Sequence, residues 1–136
     1  MPQFITIDTP GRGLIDITRE IRDLAASTGI ENGLANLFVQ HTSASLIIQE
    51  NADPDVCRDL IDYLDRIAPE SDLYRHSAEG PDDMPAHIKS VLTATSLSIP
   101  VANGDLLLGT WQGIYLFEHR AAPDRRRVVV TFAREA

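Results

Sequence analysis

The alternation of apolar and polar residues predicts an α+β fold built from short strands and three helices. Residues 3–8 alternate strictly, which indicates a half-buried strand, whereas 54–67 carry apolar residues at the spacing of an amphipathic helix. We expect a compact, β-sandwich-like sheet that the helices partly cover. The predicted strands are 3–8, 33–40, 45–50, 96–101, 106–108, 112–117 and 128–132, and the predicted helices are 17–28, 54–67 and 84–92.

Local signals set several of these boundaries. Pro54 suits the first position of the second helix, and the preceding Asp53 suits its N-cap. Gly29 is expected to end the first helix, and Asn103-Gly104 is a strong signal for a two-residue hairpin turn. Asp82 or Asp83 is the expected cap of the third helix, because aspartate side chains accept hydrogen bonds from free backbone N–H groups there.

Composition narrows the class of protein. The chain has 136 residues, of which 43% are hydrophobic and 24% charged, the balance of a single soluble domain spanning 1–136. Its net charge of −8 argues against general binding of nucleic acid, which depends on cationic side chains. No run is long enough to span a membrane. The single cysteine, Cys57, and the lack of a signal-peptide pattern favour the cytoplasm.

The four histidines offer the clearest candidate chemistry. Each stands near acids or hydroxyl residues, in a chain without a local metal motif such as HExxH. Such a grouping suits zinc or another divalent metal, and it also suits acid–base catalysis near neutral pH. The alternative is four unconnected polar loop residues. The histidines are His41, His76, His87 and His119.

Other polar segments have simpler explanations. The polar residues 70–83 predict a long ordered loop, and a loop of this length is more often functional than incidental. Trp111, between two glycines, is interpreted as a core or interface anchor. Residues 125–127, three consecutive arginines, are interpreted as a solvated edge before the last strand, and Cys57 as structural.

Three blocks of sequence carry a family resemblance. They are HTSASLIIQENADPDVCRDL, HSAEGPDDMPAHIKS and NGDLLLGTWQGIYLFEHR, and with the closing strand they cover most of residues 33–133. The chain resembles the YjbQ family, described as secondary thiamine-phosphate synthases. The resemblance implies an α/β sandwich that assembles as a homotrimer with clefts between subunits. The implied reaction couples hydroxymethylpyrimidine diphosphate to thiazole phosphate, with release of pyrophosphate.

The resemblance also implies a set of site residues. The expected catalytic residues are His41, Glu50, Asn51, His76, Asp83, Gln112 and Glu118, with Glu79 beside them. His41, His76 and His87 are the expected ligands of a divalent metal, zinc or magnesium. Lys89 and Arg120 are expected to bind phosphate oxygens. The likeness is looser at Asp83 and from His119 onward, where many relatives carry other residues.

Two other functions remain open from the sequence. One is a metal-dependent hydrolase of a small phosphorylated metabolite, and the other is a non-catalytic trimer that binds a metal or an anion. The two enzyme hypotheses share a small phosphorylated substrate, and none of the three hypotheses involves nucleic acid or a membrane. They differ in whether a metal is bound and in whether a product is formed.

Overall fold

The structure, a computed structural model that describes residues 1–136, consists of two antiparallel sheets and three helices. The expected α+β class and the three helices are confirmed. The strands are β1 (Gln3–Thr9), β2 (Gly13–Asp16), β3 (Gly33–Val39), β4 (Ala44–Glu50), β5 (Ser96–Ala102), β6 (Asp105–Leu106), β7 (Gln112–Glu118) and β8 (Asp124–Arg134). The helices are α1 (Thr18–Thr28), α2 (Pro54–Ile67) and α3 (Asp83–Leu92).

The two sheets pack face to face around one core. The larger sheet has the strand order β1-β8-β3-β5-β6, and the smaller has the order β2-β7-β4. Alternate residues of β3, such as Ala35 and Leu37, point inward and are fully buried. They meet inward residues of the smaller sheet, such as Leu46 and Leu116, in one cluster of 16 buried side chains. This period-two burial is the one that the alternating sequence predicts.

The middle strand of the smaller sheet, β7, is covered on both faces. Ile114 faces the larger sheet, whereas Tyr115 and Phe117 point the opposite way and are also buried. Helices α2 and α3 lie on that outer side. The hydrogen bond between Thr93, just after α3, and Ser45 in β4 ties the helix layer to the sheet. Arg120, which follows β7, contacts Asp83, so the C-terminal end of β7 lies beside the start of α3.

The local signals for α1, α2 and the hairpin turn are confirmed. The Asp53 side chain accepts a hydrogen bond from the Asp55 N–H at 2.9 Å, and Pro54 occupies the first turn of α2. Gly29 ends α1 in the left-handed conformation. Asn103 and Gly104 both have positive φ, as a type I′ turn requires. None of the helices is long and apolar enough to cross a membrane.

Other expectations are wrong. Strand β2 was not predicted, because four residues with two apolar side chains give no readable period. The return strand β6 is shorter than 106–108. Trp111 is 63% exposed, so the core half of its interpretation as a core or interface anchor is wrong, and the interface half stays a prediction. Asp82 stands at the N-cap position of α3, but neither it nor Asp83 caps the helix through its side chain.

The last strand contains the most informative error. It begins at Asp124, so the arginines at 125–127 belong to β8 rather than to a solvated edge. Alternation along β8 turns Arg126 inward, where it is 3% exposed, while its two neighbours point outward. A buried arginine needs a buried anion, and Glu118 supplies it.

Candidate functional site

Two histidines and one aspartate converge where α3 begins. Asp83 is the first residue of α3 and is 2% exposed at its side chain. His87 lies one turn later on the same face of the helix, and its Nε2 is 3.0 Å from Asp83 Oδ2. His76 reaches the same oxygen from the preceding loop, with its Nε2 2.6 Å away. The three side chains form what we call the triad: His76, Asp83 and His87.

The other oxygen of Asp83 belongs to an arginine. Arg120, just after β7, places Nη1 2.6 Å from Asp83 Oδ1 and donates from Nε to Asp82 Oδ2 at 3.0 Å. Its Nη2 also donates to the Glu79 carbonyl at 2.9 Å, so one side chain ties the loop to the sheet. Because Arg120 occupies Oδ1, only Oδ2 of Asp83 faces the two histidines.

These neighbours keep Asp83 ionised. Burial by itself raises the pKa of Asp83, but the hydrogen bond from His76 and the charges of Arg120 and His87 outweigh burial. The pKa of Asp83 therefore lies below its ordinary value of 3.8. At neutral pH the side chain is a carboxylate with one oxygen directed at two imidazole nitrogens.

The hydrogen bonds of His87 require a positive charge at the triad. His87 Nδ1 is 2.9 Å from the Thr42 carbonyl oxygen, which only accepts, so Nδ1 carries a hydrogen. Neutral imidazole then has a bare Nε2, yet this atom faces the Asp83 carboxylate at 3.0 Å. Two acceptors do not hold each other at this distance. Either a proton on Nε2 or a metal ion must stand between them.

The donor set fits a metal ion. All three donor atoms of the triad lie within 4.8 Å of one another, so small side-chain adjustments would let one ion contact all of them. Two histidines and one carboxylate are a ligand set of catalytic zinc sites, which leave a further position open. Magnesium prefers oxygen ligands, so the two nitrogens favour zinc. The Thr42 carbonyl would then be the partner that orients a metal-bound His87.

The structure does not bring His41 into the triad. Its Nε2 accepts a hydrogen bond from the Arg127 N–H at 2.9 Å, which commits that nitrogen to the backbone. Burial, and then the charge of Arg126, lowers the pKa of His41 below 6.5, so the ring is neutral at pH 7. The donor atoms that lie within 4.8 Å of one another belong to His76, Asp83 and His87 and do not include His41, so the expectation that His41 is a ligand at this site is corrected. Its side chain lines a neighbouring pocket instead.

Neither cation expected to bind phosphate is free to do so. Lys89 in α3 is 3% exposed, and its Nζ donates to Asp65 Oδ1 of α2 at 2.5 Å. Arg120 is committed to Asp82, Asp83 and the Glu79 carbonyl. Both expectations are corrected, because each cation is already paired with carboxylates: the buried Lys89 with Asp65, and the partly exposed Arg120 with Asp82 and Asp83.

Glu118 has a structural place rather than a catalytic one. It is fully buried between the two sheets, where Arg126 Nε and Thr9 Oγ1 each donate to Oε1 at 2.7 Å. Oε2 accepts from Arg126 Nη2 at 2.5 Å and from the Arg120 N–H at 3.2 Å. With four donors and no exposed surface, this carboxylate has no capacity left for a substrate. The expectation of a catalytic Glu118 is corrected.

The remaining expected residues lie at the opposite end of the smaller sheet. Glu50 pairs with Gln112 across β4 and β7, while Ala44 pairs with Glu118 at the triad's end. Six residue steps of about 3.3 Å separate the two ends by about 20 Å. Asn51 follows Glu50 and donates to the Gln112 carbonyl. Within one chain, Glu50, Asn51 and Gln112 therefore do not join the triad.

His119 is buried away from the triad. Its Nε2 lies 2.8 Å from Ser45 Oγ, and its Nδ1 has no hydrogen-bond partner. Burial, followed by the charges of Lys89 and Arg126, lowers the pKa of His119 to about 3. The ring is neutral at pH 7 and serves the packing of the sheet against α3.

Two contributors to the site have no role in the sequence-based prediction. Asp82 was interpreted only as a cap, but it holds the Arg120 guanidinium and accepts from the Ala121 N–H at 2.8 Å. The Thr42 carbonyl orients His87 and leaves no signal in a sequence, because every residue has a carbonyl. A signal for Asp82 did exist: two adjacent aspartates need a cation nearby, and Arg120 follows β7, in which every residue after Gln112 is buried.

These features define a two-sheet α+β protein with a His–Asp–His cluster at one end of its smaller sheet. The sequence pattern described as UPF0047 protein YjbQ-like matches residues 3–135. The chain belongs to this YjbQ/UPF0047 family.

Individual relatives agree along nearly the whole chain. UPF0047 protein sll1880 of Synechocystis is 52% identical over 129 residues, which cover 94% of this chain and 88% of that protein. UPF0047 protein YjbQ of Escherichia coli O157:H7 is 44% identical, with 96% of each covered. A crystal structure of a YjbQ/UPF0047 protein from Clostridium acetobutylicum has a TM-score of 0.84 at 38% identity, covering 98% of this chain and 99% of that one. The hypothetical protein APE1520 from Aeropyrum pernix superimposes with a TM-score of 0.90 at 26% identity, with 99% of each chain covered.

Proposed function

We propose that this protein is a zinc-dependent enzyme acting on small phosphorylated molecules, with His76, Asp83 and His87 as the metal ligands. The observation that carries the proposal is the pair of contacts made by His87. Its Nδ1 donates to the Thr42 carbonyl, and its Nε2 faces an ionised carboxylate at 3.0 Å. A divalent cation satisfies both acceptors at once, and the nitrogen-rich donor set selects zinc over magnesium.

The surrounding residues prepare the triad for this role. Arg120 holds Asp83 by one oxygen and leaves the other for the metal, and the Thr42 carbonyl fixes the ring of His87. His76 is 42% exposed and His87 29% exposed at the side chain, so a ligand from solvent can reach the cluster. When bound, the metal would neutralise developing charge on a phosphate oxygen as a Lewis acid.

The reaction proposed is the transfer that the family resemblance implies. Hydroxymethylpyrimidine diphosphate would lose pyrophosphate, and the thiazole phosphate nitrogen would bond to the released carbon to give thiamine phosphate. Departure of pyrophosphate needs positive charge at the leaving oxygens. Lys89 and Arg120 are already paired with carboxylates, so the metal site is the available source of that charge. We also propose a cytoplasmic location, which the single cysteine favours.

A homotrimer would account for the residues that lie away from the triad. Glu50, Asn51 and Gln112 sit about 20 Å from the triad's end of the sheet in the same chain. We propose that a neighbouring subunit brings its copies of these residues to the triad. Light scattering should give a trimeric mass. The His87→Ala and Gln112→Ala variants are mixed in equal amounts, unfolded and refolded together. About a quarter of wild-type activity should return, because random assembly gives that share of sites an intact His87 from one subunit and an intact Gln112 from its neighbour.

The activity is tested with both thiamine precursors and zinc-loaded protein. Wild type should form thiamine phosphate, His87→Ala should form at least about 100-fold less, and Arg125→Gln, an exposed variant, should match wild type. Equal product from wild type and His87→Ala would refute the proposed centre.

A hydrolase is the second candidate, favoured by the three-ligand donor set, which leaves a position for water. To distinguish it from the transferase, the protein is supplied with hydroxymethylpyrimidine diphosphate but no thiazole phosphate. Release of pyrophosphate without the thiazole phosphate, at an unchanged rate, identifies hydrolysis. Zinc binding with neither product would leave a non-catalytic metal-binding trimer.

A further inference from the structure

Helix α3 rests on the smaller sheet through a seam of buried polar groups. Lys89 of α3 and Thr93 at its C-terminal end are four residues apart and lie on one face of the helix. Ser45 of β4 and His119, which follows β7, lie opposite them on the sheet. Ser45 and His119 are fully buried, and Lys89 is 3% exposed. Because bulk water does not reach these groups, their hydrogen bonds have to be made inside the protein.

Three contacts in the seam require three hydrogens. Thr93 Oγ1 lies 2.8 Å from the Lys89 carbonyl oxygen and 2.5 Å from Ser45 Oγ. Ser45 Oγ in turn lies 2.8 Å from His119 Nε2. The carbonyl only accepts, so the single hydrogen of the Thr93 hydroxyl goes to it, and the Ser45 hydroxyl donates to Thr93. Both hydroxyl hydrogens are then used, and His119 Nε2 has to donate the third one to Ser45.

The other ring nitrogen of His119 is a buried acceptor. Burial, followed by the charges of Lys89 and Arg126, lowers the pKa of His119 to about 3, so the ring is neutral and a hydrogen on Nε2 leaves Nδ1 bare. Nδ1 is buried, and no group of the chain donates to it. Leaving a buried acceptor without a donor is costly. A donor from outside the chain is therefore expected at this atom.

The Lys89 ammonium has hydrogens to spare beside it. It carries three, and its one hydrogen bond within the chain goes to Asp65 Oδ1 at 2.5 Å. Its side chain is only 4% exposed, so solvent does not supply the remaining partners. The position of Lys89 on the seam agrees with its effect on His119, since no other charge lowers the pKa of that ring as much.

We propose that one water molecule is bound between His119 Nδ1 and the Lys89 ammonium. It accepts a hydrogen bond from Lys89 and donates one to His119, in the way that buried waters join polar groups that lack partners. Charge balance favours a neutral ligand over an ion at this place. Lys89 and Arg12 already face Asp65 and Glu70, two cations against two anions.

The water closes a chain of hydrogen bonds that starts and ends on Lys89. Donation runs from the ammonium through the water, His119, Ser45 and Thr93 to the Lys89 carbonyl. Hydrogen bonds aligned in one direction strengthen one another. Because α3 also supplies two residues of the triad, this water seats the helix of the triad on the sheet. The inference does not depend on whether the triad binds zinc.

Two measurements on the wild-type protein test the site. Nitrogen-15 NMR of histidine-labelled protein at pH 7.5 should place the His119 hydrogen on Nε2, with the signal assigned by its loss in His119→Gln. His41 should give the opposite pattern, because its Nε2 accepts from the Arg127 N–H. In a high-resolution crystal structure, one water should lie about 2.7–3.2 Å from both His119 Nδ1 and Lys89 Nζ. A His119 hydrogen on Nδ1, or a direct bond between Lys89 and His119 without the water, would overturn the proposal.

Lys89→Met removes one partner of the water and leaves His119 in place. Asp65 keeps Arg12 as a cationic neighbour, with Nη1 3.6 Å from Oδ1. The water should be lost from the crystal structure, and the Nδ1 signal should shift toward that of an unbonded nitrogen. Arg66→Met is the matched control, because it removes an exposed cation from α2, and it should match wild type in both measurements. An unchanged water in Lys89→Met would refute the bridge, and if that variant does not fold, the two wild-type measurements decide.

Discussion

Two buried carboxylates, Asp83 and Glu118, each pair with an arginine, yet they differ in what remains for a ligand. Glu118 accepts four hydrogen bonds and is fully buried between the sheets. Asp83 gives one oxygen to Arg120, while its other oxygen faces two partly exposed histidines. A saturated carboxylate stabilises the fold, whereas a half-committed one that faces partly exposed histidines is available for chemistry. Both carboxylates are buried, and the difference lies in the second oxygen and in the exposure of the side chains that it faces.

The largest effect should come from breaking the saturated pair. Glu118→Ala removes the buried carboxylate of Arg126 and leaves its guanidinium only Ser43 and a longer contact to the half-exposed Asp124, which should lower the free energy of unfolding by about 3–5 kcal/mol. Urea denaturation measures this. The double variant Glu118→Leu/Arg126→Met should recover most of the loss, because it removes both buried charges. A loss below about 1 kcal/mol in Glu118→Ala would contradict a structural role for the pair.

The buried His119 should make stability depend on pH. Its folded pKa is about 3 against an ordinary value of 6.5, so below pH 6.5 the unfolded chain binds a proton that the folded chain does not. Stability must then fall as pH falls, by about 2 kcal/mol between pH 7 and pH 5 from this group. His119→Gln should flatten the dependence by that amount. Urea unfolding at pH 7 and pH 5 measures the free energy of unfolding of both proteins. An equal loss of stability in wild type and His119→Gln would contradict the role of His119.

Removing Arg120, which holds one oxygen of Asp83, should weaken zinc binding. Arg120→Gln frees both oxygens of Asp83 and releases the loop at Glu79. Zinc affinity should fall by about 10- to 100-fold, the usual effect of losing a residue that orients a ligand. Competition with a fluorescent chelator measures it. Unchanged affinity would mean that Arg120 does not position Asp83.

The smallest effect is expected from a pair that is neither buried nor near the triad. Arg125 bonds to Asp8 at 2.9 Å, with both side chains 74% exposed. Arg125→Gln should leave zinc affinity and the melting temperature unchanged, because solvent screens exposed ion pairs. A clear drop in zinc affinity or in the melting temperature would show that an exposed ion pair matters here as much as a buried one.

Much of the fold could be predicted from the sequence because local patterns carry it. Strand alternation, Asp53 with Pro54 and the Asn103-Gly104 turn each act within a few residues, and each is confirmed. Strand β2 escaped because four residues carry no period. Arg126 escaped because three consecutive arginines appear solvated until pairing with β1 and β3 decides which one points inward.

The candidate site was only partly predictable for a related reason. His76, Asp83 and His87 lie within 12 positions, and Asp83 and His87 share a helix face, so their proximity has a local cause. His41 also stands beside hydroxyl residues and Glu118 beside a histidine in the sequence, but long-range contacts commit both elsewhere. Which nitrogen or oxygen remains free depends on such contacts, and no sequence pattern records them.

The most direct test of the central claim is a zinc titration of the purified, metal-free protein at pH 7.5. Wild type should bind about one zinc per chain, and His87→Ala should bind at least about 100-fold more weakly with an unchanged circular dichroism spectrum. The Arg125→Gln control should match wild type. No zinc binding by wild type, or equal binding by His87→Ala, would contradict the proposed centre.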